Sequence, residues 1–171
     1  NTTGCQNTAT GVNSMLCNTD GVCNTAMGVS ALRCNTTGDR NTSIGLQSSY
    51  KTTADDNTAL GACALFQNTT ASDNTAIGAL ALACNTTGAE NTALGLQAQR
   101  YGTTGSYNVA LGACTLGASD VNTGDSNIAI GRKSMFDNTS GAKNVAVGSS
   151  SLENNTTAAC NTAVGHIAMQ L

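Results

Sequence analysis

Asn74-Thr75-Ala76-Ile77-Gly78 is followed, seventeen residues on, by Asn91-Thr92-Ala93-Leu94-Gly95. Variants of the same five-residue phrase open at Asn7, Asn24, Asn41, Asn57, Asn108, Asn127, Asn144 and Asn161. The steps between successive openings are 17, 17, 16, 17, 17, 17, 19, 17 and 17 residues. Self-similarity at a short fixed period marks a solenoid, in which each repeat buries its apolar side only against its neighbours. Numbered from the leading Asn as phase 1, the consensus is N-T-A-[LIV]-G-x-x-[AS]-[LM]-x-x-N-T-T-G-x-x. The pattern fills residues 1-171 and predicts a single repeat array.

Within one repeat, phase 4 is almost always apolar (Met27, Ile44, Leu60, Ile77, Leu94). Phase 2 is Thr except where Val109, Ile128 and Val145 replace it. Exchange of Thr with its β-branched apolar isosteres reads as a semi-buried position, so phases 2 and 4 are expected to face inward in the period-two alternation of a strand. Phase 3 is Ala everywhere but Ser43. It would then lie on the opposite face, packed closely against another chain or against the other wall of its own coil. Phase 5 is Gly in every repeat: Gly11, Gly28, Gly45, Gly61, Gly78, Gly95, Gly112, Gly131, Gly148 and Gly165. Ending a strand at a corner needs positive φ or close backbone approach, and Gly supplies both. A second short strand is expected around phases 7 to 10, with Leu or Met at phase 9. The N-T-T-G of phases 12 to 15 makes the return turn. Gly, Asn and Thr at these frequencies oppose a helical repeat. The expected fold is all-β: a parallel β-solenoid (β-roll) of ten coils of about 17 residues, with two short strands per coil.

Stacked coils place equivalent residues roughly 4.8 Å apart. An amide side chain carries donor and acceptor, so the phase-1 asparagines are expected to form a hydrogen-bonded structural ladder, with phase-13 threonines doing likewise. The short third coil and the long seventh coil change length in the return turn, around Thr52 and around Ala118 to Asn122, where indels are tolerated.

Composition limits function. Charged residues make up 10% and the net charge is -3, which leaves no basic stripe for nucleic acid. Aromatics are 3% with no Trp, and no apolar run is long enough to span a membrane. The first residue is not Met and no signal-peptide pattern follows, which suggests a processed product, an excised fragment or the ordered part of something longer.

The phrase N-T-A-[LIV]-G followed by x-x-A-L resembles the head repeats of trimeric autotransporter adhesins. Fuller N-T-A-x-G-x-x-A-L-x-x-N-T-T-G arrays resemble the shafts of trimeric phage tail-fibre-like proteins. The resemblance covers all ten repeats and implies a left-handed parallel β-roll, three of which pack side by side. It also makes the invariant phase-3 Ala the natural surface for rod-to-rod approach. The chain departs from the adhesins in its longer return turn and its eight cysteines.

Enzymatic chemistry finds no support, and no catalytic, cofactor-binding or metal-ligating residue is nominated. The lone His166 has no partner at useful spacing, and the paired Asp55 and Asp56 fall in a turn. C-x-x-C, the calcium-binding nonapeptide, phosphate loops and nucleophile elbows are absent. Cysteines and sequons together favour an extracellular setting or a cell or virion surface. On the coil lattice Cys17 and Cys34 share phase 11 of adjacent coils and are candidates for a disulfide. Cys5 and Cys23, at phases 16 and 17, are a second candidate pair. Cys63 and Cys114 lie three coils apart and are expected to be free buried thiols. Return-turn sequons at Asn35, Asn68 and Asn85 are candidate glycosylation sites, whereas Asn41 leads a strand and should be spared.

The leading functional expectation is a structural extracellular fibre, filament or stalk segment assembling with other copies. An adhesin shaft that binds glycan or a host surface is the alternative. Ice binding ranks last, because it wants two outward Thr columns on a strand while phase 2 is expected inward and phase 13 lies in a turn. Leu171 closes at phase 11 and Asn1 opens at phase 12, so head-to-tail stacking would continue the repeat, with Cys160 as an inter-subunit candidate near the next copy's Cys5.

Overall fold

A computed structural model describes residues 1–117 and 121–170. It is a parallel β-solenoid built on ten three-residue strands, one per coil. They are β1 (Thr8–Thr10), β2 (Thr25–Met27), β3 (Thr42–Ile44), β4 (Thr58–Leu60), β5 (Thr75–Ile77), β6 (Thr92–Leu94), β7 (Val109–Leu111), β8 (Ile128–Ile130), β9 (Val145–Val147) and β10 (Thr162–Val164). Each pairs in parallel with the next, in the order of the chain, to make one ten-stranded sheet. The register holds phase against phase, for example Thr75↔Thr92, Ala76↔Ala93 and Ile77↔Leu94.

The strand faces are the reverse of those expected. Phase 3 is buried in β2 through β10, whereas no residue of phase 2 or phase 4 is buried. Ala76 and Ala93 are 0% exposed, while Leu94 is 49% exposed. The physical reason is the thinness of the coil. Opposite walls approach so closely that only Ala or Ser fits between strand and facing wall, so invariance at a small residue marked the interior. Ala76 thus packs against the far side of its own roll rather than against a neighbouring rod. The core is a column of phase-3 Ala, phase-8 Ala or Ser and phase-9 Leu or Met, such as Leu65, Leu82, Leu116 and Met135. It is flanked by the buried asparagines of phases 1 and 12.

The second strand expected around phases 7 to 10 is absent among the described residues, because alternate residues there are left-handed. Leu80 and Leu82 have φ of 60° and 50°, and the same sign recurs at phases 7 and 9 of every coil and at the residue before each leading Asn. Non-glycine residues pay on the order of 1 kcal/mol or more for that conformation. Coil-to-coil hydrogen bonding offsets it: the Leu80 N–H reaches back to Ala62 O (2.9 Å), and the Leu82 and Cys84 N–H groups reach forward to Ala98 O and Arg100 O (3.0 Å each).

Phase 5 shows why Gly is required. Gly78 has φ +128°, and a Cβ there would lie 2.4 Å from the carbonyl oxygen of Gly95 in the next coil. The return turn is held by convergent amides. The Thr19, Asp20 and Gly21 N–H groups all point at the Thr36 carbonyl (3.0, 3.0 and 3.3 Å), and the Thr19 hydroxyl donates to it as well (2.9 Å).

Two coils depart from the consensus in paired positions. In the third coil Ser49 replaces the phase-9 Leu and Thr52 the phase-12 Asn. In the sixth, Gln99 replaces the Leu and Gly102 the Asn. The buried Gln99 side chain occupies the space of the missing Asn, since a Cβ on Gly102 would lie 2.7 Å from Gln99 Cγ. The 16-residue third coil is shortened in its return turn. Of the expected insertion around Ala118 to Asn122, residues 118–120 lie outside the described residues. Asn122 is back in register, bridging to Gly102. Leu171 also lies outside the described residues.

Candidate functional site

With ten equivalent coils, a functional site can only be a column of like positions or a local departure from one. The phase-1 asparagines are used internally. Each Oδ1 accepts the backbone N–H of the next Asn: Asn7 from Asn24 (2.8 Å), Asn24 from Asn41 (2.9 Å), Asn41 from Asn57 (3.0 Å), Asn57 from Asn74 (3.1 Å), Asn74 from Asn91 (3.0 Å). The series continues through Asn108, Asn127, Asn144 and Asn161. In most coils the Nδ2 also closes the coil onto its own return turn, as Asn24 does to Gly38 O at 2.8 Å.

A second, phase-12 ladder takes up the candidate glycosylation residues. Asn35, Asn68 and Asn85 are 0% exposed. Their Nδ2 groups donate to Gly38 O (2.9 Å), Ala71 O (2.8 Å) and Gly88 O (2.8 Å). A glycan needs that nitrogen at the surface, so one at any of these three positions does not fit this coil packing. The sequons follow from a structural Asn-Thr ladder.

The structure gives the candidate cysteine pairs no support, since all eight cysteines are free thiols in it. Cys17 and Cys34 stack in neighbouring coils without bonding. Cys23 Sγ turns toward Gln6 Oε1 (3.0 Å) rather than toward Cys5. Cys63 and Cys114, expected to be buried, are half-exposed and lie beside the side chains of Gln47 and Gln97. Cys160 is exposed. Burial pushes the Cys84 thiol up from its ordinary range.

Two surfaces stand out. The first is the outer face of the sheet, where phases 2 and 4 project, together with phase 6 just past the Gly corner. Met27, Val29, Leu46, Leu60, Leu94 and Leu96 are exposed here. Phases 2 and 4 carry no charged residue in any coil, and phase 6 carries only Arg132 and His166. Nine coil steps by about 10 Å of three-residue strand give a sheet face on the order of 400 Å², uncharged and with Thr at phase 2 in most coils.

The second surface lies on the flank formed by phases 7, 10 and 11. In coils two to six this flank carries Arg33, Lys51 and Arg100 with Tyr50, Phe66 and Tyr101, and no acid. The Arg33 guanidinium donates to the Tyr50 hydroxyl (2.5 Å) and lies 5.6 Å from its ring centroid, and Tyr50 stacks on Phe66 at 5.3 Å. That hydroxyl contact raises the Arg33 pKa further. Arg100 sits 4.9 Å over the Tyr101 ring. A groove of about 260 Å³ runs between Gln47, Cys63 and Leu80 on one rim and Phe66, Gln67 and Arg100 on the other. In the same coils most acids lie across the return turn, where Arg40 pairs with Asp56 (2.6 Å) and the exposed contact lowers the Asp56 pKa.

Residue-by-residue reading missed both surfaces. Reading phase 10 as a column (Arg33, Tyr50, Phe66, Ala83, Arg100) carries the signal for the second. Among the described residues no cluster of His, Cys, Asp or Glu is suited to a metal ion, and no helix is long and apolar enough to cross a membrane. No family model, curated protein or solved structure matches the chain.

Proposed function

We propose that this solenoid is a structural segment of an extracellular fibre or stalk, displayed at a cell or virion surface and assembled with other copies of itself. The observation that carries the reading is the uncharged outer sheet face, continuous over ten coils and in strict register. A face of that area is about half of the ~800 Å² each partner gives to a standard interface, and the exposed apolar side chains of phase 6 beside it, such as Val29, Leu46 and Leu96, add to what a second copy can cover. Backbone polar groups are already spent on the coil-to-coil ladders, so the face offers side-chain packing without unpaired hydrogen-bonding groups. The resemblance of the repeat to trimeric adhesin heads and phage fibre shafts points the same way, with side-by-side packing through phases 2 and 4 in place of phase 3. Head-to-tail stacking is the second mode of assembly that the fibre reading allows. The reading assigns the chain no catalytic role, cofactor or nucleic-acid partner.

The test is sedimentation and electron microscopy of the protein and of Ile77→Lys/Leu94→Lys, two changes on the exposed face. Expected are side-by-side oligomers or fibres that the double variant disperses while its circular dichroism stays unchanged. A native protein that is monomeric at high concentration overturns the reading.

A second reading, an adhesin shaft, draws on the basic and aromatic flank. Ice binding regains one point, because the phase-2 threonines face outward. It still lacks the second column, since Thr10 is the only Thr at phase 4.

A further inference from the structure

We propose that the flank groove of coils three to six binds an anionic polysaccharide, one sugar ring seated between Phe66 and Arg100 with its carboxylate or sulfate on the Arg100 guanidinium. This deepens the adhesin-shaft reading and rests on it.

The argument begins with a gap in a column. Phase 10 runs Arg33, Tyr50, Phe66, Ala83, Arg100, so large side chains flank a small one. Phe66 and Arg100 stand two coils apart, roughly 9.6 Å, and Ala83 forms the floor between them. The groove's volume of about 260 Å³ lies below the range of about 300–1,000 Å³ that encloses a drug-sized ligand. It is open along the rod, which suits one ring of an extended chain.

The lining matches a sugar in kind. Phe66 supplies an apolar ring face, kept in place by its stack on Tyr50. Gln67 accepts from Lys51 Nζ through Oε1 (2.7 Å), which orients the amide and leaves its NH₂ to donate. Gln47 brings a second amide to the opposite rim.

Charge decides the sign of the ligand. Arg33, Lys51 and Arg100 gather on one flank of a chain whose net charge is -3, and phases 7, 10 and 11 hold no carboxylate in these coils. The same phases change character farther along, where Asp137 and Glu153 enter and Glu153 pairs with Lys133 (3.4 Å). The complementarity is therefore local. The Cys84 thiol at the floor stays neutral because burial raises its pKa, so it adds no repelling charge.

The experiment is calorimetry of the full chain with polygalacturonate, heparin, a neutral cello-oligosaccharide and polyglutamate, at two salt concentrations. Expected is binding of polygalacturonate, of heparin, or of both, weakening with salt; which of them binds distinguishes carboxylate from sulfate recognition. Arg100→Gln should weaken it about tenfold or more. Ala83→Phe fills the gap with a residue that phase 10 already accommodates at Phe66 and should abolish binding with an unchanged melting temperature. Arg132→Gln, remote from the groove, should bind as the parent does.

Several outcomes overturn the proposal: no binding at about 1 mM ligand, undiminished binding by Ala83→Phe, equal binding of polyglutamate, or equal binding of the neutral oligosaccharide. Sedimentation of the same samples keeps the two readings apart. Fibres that bind no polyanion sink this inference alone, and a strict monomer that binds sinks the fibre.

Discussion

Replacing Asn127 with Ala removes one rung of the phase-1 ladder, and the cost can be worked from its contacts. Asn127 is 0% exposed. Its Oδ1 accepts the Asn144 backbone N–H (3.0 Å) and the Asn144 Nδ2 (3.3 Å), and its own Nδ2 donates to Gly141 O (2.8 Å). Two of the three partners survive the loss. Asn144 Nδ2 still reaches Ala158 O (2.8 Å), and Gly141 O still accepts from Asn138 (2.9 Å). The Asn144 N–H is orphaned in a buried site. An unsatisfied buried donor costs about 1–3 kcal/mol, and the other lost bonds add about 1, so destabilisation of about 2–4 kcal/mol is expected. Asn161→Ala is the internal control, because the structure places no later asparagine on its Oδ1; it should cost about 1 kcal/mol. Urea denaturation followed by circular dichroism measures the difference, and hydrogen exchange should localise it to coils eight and nine. Asn127→Asp adds a pH signature. A buried carboxyl without a cation has its folded pKa raised, so its contribution is present below the unfolded value of about 3.9 and is lost as pH rises through the folded pKa. If Asn127→Ala proves no worse than Asn161→Ala, the ladder is not what holds the coils.

Gly78→Ala places a Cβ 2.4 Å from a backbone oxygen at φ +128°; a loss of about 3 kcal/mol or more, or failure to fold, is expected in thermal melts. Alkylation without prior reduction should modify all eight cysteines, with Cys84 the slowest and needing higher pH, because burial holds its thiol above the usual range; a disulfide-linked peptide in the map would contradict this. Intact mass from a glycosylating host should show no glycan on Asn35, Asn68 or Asn85, whose amides are buried. Thermal-hysteresis measurement should give no activity beyond that of an ordinary protein, since one Thr column is not a lattice.

The period and the alternation were legible in the sequence, and the direction of the alternation was not. Ile77 and Leu94 looked like core by hydrophobicity, yet Ala76 and Ala93 are the residues the wall encloses. In a coil this thin, steric invariance reports burial better than apolar character does. The second strand does not form because the coil imposes on Leu82 and Leu65 a left-handed backbone against their own preference, and nothing in a leucine signals it. The sequons and cysteines were read by chemistry alone. Whether an asparagine or a thiol can act depends on where the coil turns it, and for Asn35 the ladder had already claimed the nitrogen.

The ladders also give the rod a mechanical anisotropy. Bonds such as Thr75 N–H to Asn91 O, Leu82 N–H to Ala98 O and Gly95 N–H to Ile77 O cross a single junction between two coils. Tension along the axis loads them together, so a junction must yield as a unit. A pull on one strand across the axis meets them in succession and peels the chain away coil by coil, at a far smaller force. A solenoid of this kind resists being stretched and gives way to being unwound from a torn edge. Along its length its strength would be that of its weakest junction, and the third coil, where Ser49 Oγ and Thr52 Oγ1 are buried without partners among the described residues, is where a break should begin.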